Sequence, residues 1–449
     1  MSKESFQATQ KRQNKRVWSL LVPMIVEQIA NVVVAFINAI MVSGVGETAL
    51  SAISLVDTIT LVLVQLFTAI GAGGGILAAQ YLGSKDKIGA RRTANLTAIM
   101  VLGASVVIAA VTCLFHMPLL HTIYPSVTGI TMTYCAQYLL WTAASFPLMA
   151  LHSAGVGLLY AEGSSRASMY VTLAVNAVKI LGNQVLISNM GLAVVGAGAA
   201  TLLSRAVGAI LVTVLLCDKR RPLHYSWPLI PLDVATGRRI LRVAVPSGVE
   251  NLLFLLAKLV IGTIIATFPG AMIAANAAAN TLSGFINIPS SAINLAMMTI
   301  VGQAVGAGRT QEARSSTKRL LRLSMLLKFV MCLLMFIGVH PIIGLLSLSS
   351  QAHMETTRIL RLYCLMSVVF EPLSFGLPCA LRAAGDTKNT MYISIASVFL
   401  VRTVFSFVLV QFGLGVHGIW LAMYMDWITR GALFMLRFRG NKWLEKAPV

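Results

Sequence analysis

Pro23-Met-Ile-Val-Glu27 is echoed 223 positions later by Pro246-Ser-Gly-Val-Glu250. Working outward, Gln80-Tyr-Leu-Gly83 recurs as Gln303-Ala-Val-Gly306 at the same offset. Met169-Tyr170 matches Met391-Tyr392, now 222 apart. Gly191, Val194, Gly196 and Ala200 match Gly413, Val416, Gly418 and Ala422, also 222 apart. A frame that slips by one residue across half of a 449-residue chain marks a duplicated unit.

Each copy holds six long apolar runs. They fall at 17–42, 50–81, 92–115, 132–158, 168–190 and 192–217, then 240–268, 273–305, 318–345, 356–380, 389–412 and 414–437. A bilayer core asks for about 20 apolar residues as helix, and lipid admits no open sheet edge. The chain is 57% hydrophobic and only 11% charged, where soluble domains run near about 25%. An all-α polytopic membrane protein follows, with twelve transmembrane helices in two parallel six-helix repeats. The divisions expected are a tail at 1–16, a bundle at 17–217, a linker at 218–239, a bundle at 240–438 and a tail at 439–449. The linker is polar and basic and carries Pro222, Pro228 and Pro231.

The net charge of +20 could suggest nucleic acid, but the basic residues sit in short loops between apolar runs. With the N-terminus inside, 27 Lys and Arg fall on the inner segments and only Arg358 and Arg361 on the outer ones. That bias puts both termini in the cytoplasm. No secretory leader is expected, because the first apolar run is too long. The six cysteines have no metal spacing and read as small core residues in a reducing compartment.

Ionisable groups inside a membrane cost roughly 2.5–3.5 kcal/mol each, so each needs a reason. Glu27 and Glu250 are repeat mates, readable as protonatable carboxylates or as structural acids. Lys258 follows Glu250 by eight residues and lies about 12 Å further along the helix axis, too far to pair directly. Asp57 and Glu371 are its candidate partners. Asn276, Asn280, Asn287 and Asn294 share one face of a helix, within about 40°. That stripe reads as packing glue or as the wall of a substrate cavity, and Pro289 within it favours a kink. Asp57 is the repeat mate of Asn280. Glu371-Pro372 joins an acid to a helix bend. Asp426 and Arg430 stand i, i+4 and can pair, with Arg402 a further candidate partner. Lys179, Arg205 and Lys328 snorkel or pair. Gly71-Ala-Gly-Gly-Gly75 reads as close helix packing.

The series Pro23-Met-Ile-Val-Glu-Gln28, Ile40-Met-Val-Ser-Gly-Val-Gly-Glu47, Pro246-Ser-Gly-Val-Glu-Asn251, Val301-Gly-Gln-Ala-Val-Gly306, Leu381-Arg-Ala-Ala-Gly-Asp-Thr387 and Asp426-Trp-Ile-Thr-Arg430 resembles the MATE family, the multidrug and toxic compound extrusion transporters. It looks most like the bacterial branch, over about residues 17 to 443. The resemblance implies two six-helix bundles forming a V. It also implies export of organic, often cationic, compounds against protons or sodium ions, from a bacterial inner membrane. Many members carry a coupling acid in the first helix, just before the Ile-Met-Val segment, and the matching position here is Asn38. A major-facilitator-like loop, Gly83-Ser-Lys-Asp86-Lys-Ile-Gly89-Ala-Arg91-Arg92, is out of register and lacks a second copy.

The expected activity is therefore secondary active multidrug export. The partners are membrane lipid and small organic substrates, with no nucleic acid and no cofactor beyond the coupling ion, in a monomer. A flippase for a lipid-linked substrate is the alternative, and it would want a cationic cavity. No Gly-x-x-x-x-Gly-Lys-Ser/Thr motif supports direct use of ATP, and no catalytic motif supports an enzyme.

Overall fold

A computed structural model describes residues 3–225, 233–344, 346 and 348–446. Pro228 and Pro231 of the expected linker lie outside the described residues, as do positions 1–2 and 447–449 of the expected tails. All regular structure among the described residues is helical. The chain divides into two compact units, residues 1–248 and 249–449.

The first unit contains α1 (Lys3–Ser43), α2 (Glu47–Gly83), α3 (Lys87–Leu114), α4 (His116–Ile123), α5 (Ile130–Ala144), α6 (Phe146–Glu162), α7 (Ser165–Asn183) and α8 (Ala193–Cys217). Central α2 packs on α3, α5 and α6, while α7 bridges α1 and α8. The expected tail is helical from Lys3 onward. The fourth expected span, 132–158, is not straight: α5 and α6 meet at Ser145 with a 48° bend. Pro147, in the first turn of α6, has no N–H to continue the α5 ladder. The Gly83–Arg92 loop has a local task, since Asp86 caps α3 by accepting from the Gly89 amide at 2.9 Å.

The glycine run of α2 brings backbones together. A Cβ on Gly71 would sit 3.0 Å from Ala154 Cα, and one on Gly75 would sit 2.9 Å from the Gly157 carbonyl oxygen. Gly75→Ala must push α2 from α6, an overpacking cost of about 1–3 kcal/mol. Its thermal unfolding midpoint in detergent is expected to fall below that of Gly103→Ala, whose Cβ meets nothing within 4 Å. Equal midpoints would refute the close-packing account.

The described ends of the linker are tied to helices of the first unit. Arg221 pairs with Glu162 at 2.8 Å, Arg92 with Asp233 at 3.6 Å, and Arg239 donates to the Tyr81 hydroxyl at 2.9 Å. The Thr236 hydroxyl and the Ala235 amide hold the half-buried Asp233 carboxyl below its usual range.

α9 (Val234–Ile265) leads into the second unit, which contains α10 (Gly270–Gly306), α11 (Thr310–Gly344), α12 (Ser350–Glu371), α13 (Leu377–Ala383), α14 (Thr387–Ala396), α15 (Val404–Leu409) and α16 (Gly415–Arg439). α10 packs on α11, α12 and α13. A π-helical turn, Pro372–Gly376, separates α12 from α13 directly after Glu371. The apolar run Thr387–Arg439 has 53 residues. At 1.5 Å per residue it would reach about 80 Å, more than twice a bilayer core. Gly413 and Gly415, with φ of 83° and 50°, break it, and α16 folds back along α15. The described residues therefore make twelve crossings, with α5–α6, α12–α13 and α14–α15 each counted as one.

Candidate functional site

In the first unit, polar side chains line the seam between α1 and α7. Glu27 is buried, 4% exposed. Its carboxylate accepts from Ser168 Oγ at 3.1 Å and Thr172 Oγ1 at 2.9 Å, and Tyr160 bonds it as well. Among the described residues no Lys, Arg or His lies within ion-pairing distance of it. One turn further, Asn176 Nδ2 donates to Asn31 Oδ1 at 3.1 Å. Two turns beyond, Asn183 Nδ2 donates to Asn38 Oδ1 at 2.6 Å. Thr172, Asn176 and Asn183 each stand 145 positions after their partners. A constant offset is what two parallel helices in fixed register produce. Asp57 accepts from the Tyr138 hydroxyl at 3.2 Å, and the cations acting on it are Lys179 and Arg205. Arg205 also donates to Ser145 Oγ at 2.5 Å.

The second unit distributes its charges differently. Glu250, the repeat mate of Glu27, pairs with Arg382 at 3.7 Å. Lys328, with no exposed side chain, pairs with Glu371 at 3.3 Å and donates to Asn287 Oδ1. Arg430 pairs with Asp426 at 3.4 Å, and Ser397 donates to the same carboxylate at 2.6 Å. Each of these three acids is held by a cation from its own unit.

Two expectations are corrected here. Lys258 does not take Glu371 as partner, because Lys328 already holds that carboxylate. Arg402 is no member of the Asp426 ion pair. Instead Lys258 Nζ and Arg402 Cζ lie 5.5 and 5.7 Å from the ring centroid of Phe254. Asp426 is instead held by Arg430 and Ser397, and Arg430 also lies 5.7 Å from the same ring.

The asparagine stripe serves as both glue and wall. Asn276 accepts from Trp420 Nε1 at 3.1 Å, and Asn280 donates back to the Asn276 carbonyl at 2.8 Å. Asn280, Asn287 and Asn294 line a cavity of about 370 Å³, together with Lys258, Glu371 and Arg402. Tyr363, Phe375, Trp420 and Trp427 supply its apolar surface and pack edge to face.

Sequence reasoning missed Asn31, Asn176 and Asn183, and it missed the Glu250–Arg382 contact. A signal was present for the first three: positions 27, 31 and 38 and positions 172, 176 and 183 share the spacing i, i+4, i+11. Arg382 was concealed by its place in a basic segment that reads as a cytoplasmic loop.

Comparison with known proteins agrees with this architecture. The MatE family model matches twice, at residues 23–185 and 246–408. The chain is 24% identical over 439 residues to the uncharacterized transporter YisQ of Bacillus subtilis, covering 96% of this chain and 95% of that one. It is 25% identical over 443 residues to the probable multidrug resistance protein NorM of Thermotoga maritima, covering 97% and 94%. A solved outward-facing multidrug resistance MATE family transporter of the MOP superfamily superposes with a TM-score of 0.88 at 20% identity, over 95% of both chains. At that identity the likeness speaks for the fold alone. The same family signature recognised in both halves of a twelve-span helical chain leads to one conclusion: the protein belongs to the MatE family of membrane transporters.

Proposed function

We propose that the protein is a secondary active exporter, moving small organic compounds outward against an inward flow of protons or sodium ions. The observation that carries this reading is Glu27, a buried carboxylate held by the hydroxyl groups of Ser168, Thr172 and Tyr160. An ionised carboxylate at that depth is costly without a positive partner. Where the fold supplies no cation, a proton or a metal ion from solution takes the role, and its arrival and departure can be tied to a conformational cycle. Asn38, neutral where many members of the resembled family place an acid, leaves Glu27 and Asp57 as the carboxylates within the apolar runs of the first unit. One proton crossing 100 mV releases about 2.3 kcal/mol, enough for about fiftyfold accumulation.

The multidrug name of the Thermotoga relative supports a cargo of small organic molecules. The Lys and Arg bias of the loops supports a multi-pass protein of a bacterial plasma membrane with both termini in the cytoplasm. The chain carries both halves and works as a monomer. A flippase for a lipid-linked substrate is the second reading, favoured by the cations Lys258 and Arg402 in the second unit's cavity.

Purified protein in liposomes tests the proposal. Proton and sodium gradients are imposed separately, and uptake of fluorescent organic dyes of either charge is followed. Uptake that requires one gradient is the expected result and names the ion. Folded protein that moves no dye under either gradient would overturn the exporter reading.

A further inference from the structure

We propose that the cavity of the second unit binds the acidic end of an amphipathic organic anion, a carboxylate, sulfonate or pyrophosphate, with Lys258 and Arg402 as its two anchors. The inference deepens the exporter reading by naming a class of cargo, and it rests on that reading for the transport of that cargo.

Charge arithmetic around the cavity makes the case. Five cations gather there: Lys258, Lys328, Arg382, Arg402 and Arg430. Glu250, Glu371 and Asp426 each hold one of them in an ion pair. Lys258 and Arg402 are left over. Neither has an acid within ion-pairing distance among the described residues, and Arg402 Nε finds no hydrogen-bond acceptor. Asp426 acts on Arg402 at longer range, but it already serves Arg430. Both spare cations line the cavity. They flank one ring, Phe254, so their charges lie within about 11 Å of each other. Two unneutralised charges that close repel in a medium poorer than water at screening. A bound anion would remove the repulsion and supply the missing acceptor for Arg402.

The remaining walls suit the same ligand. Asn294 offers an amide donor, and Trp420, Trp427 and Phe375 offer flat apolar surface for the body of the molecule. An organic cation would meet two like charges instead. The only carboxylate lining the cavity among the described residues, Glu371, is spent on Lys328.

The test compares fluorescein, an anion, with rhodamine 123, a cation on the same ring system. Binding to the full-length protein in phosphatidylcholine nanodiscs is read by fluorescence anisotropy, without any gradient. Fluorescein is expected to bind at least about tenfold more tightly than rhodamine 123. Lys258→Gln and Arg402→Gln are each expected to weaken fluorescein by about tenfold, the loss of one charge-assisted contact, while Lys258→Arg retains binding. Lys258 is exposed in the structure, so Lys258→Gln tests the site without disturbing the core. Competition by farnesyl pyrophosphate and by inorganic pyrophosphate then separates the sources. Stronger displacement by the isoprenoid assigns the anion to a membrane lipid, and equal displacement assigns it to a soluble compound.

Rhodamine 123 binding as tightly as fluorescein, or fluorescein binding unchanged in Lys258→Gln, would overturn the inference. Gradient-driven uptake of rhodamine 123 without anion binding leaves the exporter reading standing and removes this one. Anion binding without gradient-driven transport of any dye does the reverse.

Discussion

Glu27→Gln is expected to lower gradient-driven transport in liposomes by at least tenfold while the protein still folds. The substitution keeps one oxygen acceptor and the shape of the side chain. The hydroxyls of Ser168 and Thr172 can rotate to accept from the new amide, so the buried site stays satisfied. What disappears is the charge. A neutral amide neither takes up a proton near neutral pH nor attracts a sodium ion as a carboxylate does. Substrate binding, measured without a gradient, is expected to survive, because the cavity of the second unit is built from other residues. Loss of coupling together with intact binding and an unchanged unfolding midpoint would identify Glu27 as the carrier of the coupling ion. Wild-type coupled uptake in Glu27→Gln would move that role to Asp57.

The second large effect concerns Lys328 and Glu371. Lys328→Met removes the only cation paired with Glu371 among the described residues. Breaking a buried ion pair from one side costs about 3–5 kcal/mol, because an uncompensated charge is left behind. Asn287 and the Tyr363 ring lose the ammonium as well. The expected result is a steep fall in unfolding midpoint for Lys328→Met and a smaller fall for Lys328→Met combined with Glu371→Leu. Replacing both partners by apolar groups of similar size removes the stranded charge along with its partner. Strictly additive losses in the double variant would show that the two charges do not stabilise each other.

The scaffold was legible from sequence because its signals are long and cumulative. Apolar runs of about twenty residues or more, a charge bias of 27 to 2 and a duplication whose offset slips by a single residue leave little room for another fold. The bend at Ser145 was not legible, since residues 132–158 read as one uninterrupted apolar run, and Pro147 alone does not fix an angle. The individual charges were visible as well, and each was recognised as needing a partner. Who pairs with whom depended on contacts across 43 positions for Lys328 and Glu371, and 132 for Glu250 and Arg382. No helical periodicity carries that information. Glu27 and Glu250 make the point together. Identical residues at equivalent places in the repeat end in opposite states, one among hydroxyls and one against a guanidinium. The duplication preserved the position, and the neighbours decided its chemistry.

The three polar rungs between α1 and α7 share one offset of 145 residues, so they stand or fall together. If α7 slid one turn against α1, Glu27 would face Asn176 and Asn31 would face Ile180, an aliphatic side chain. The slide would forfeit the hydroxyl cage of the carboxylate and both amide pairs at once. The pair of helices is thus stiff to shear, like two rails bolted at intervals.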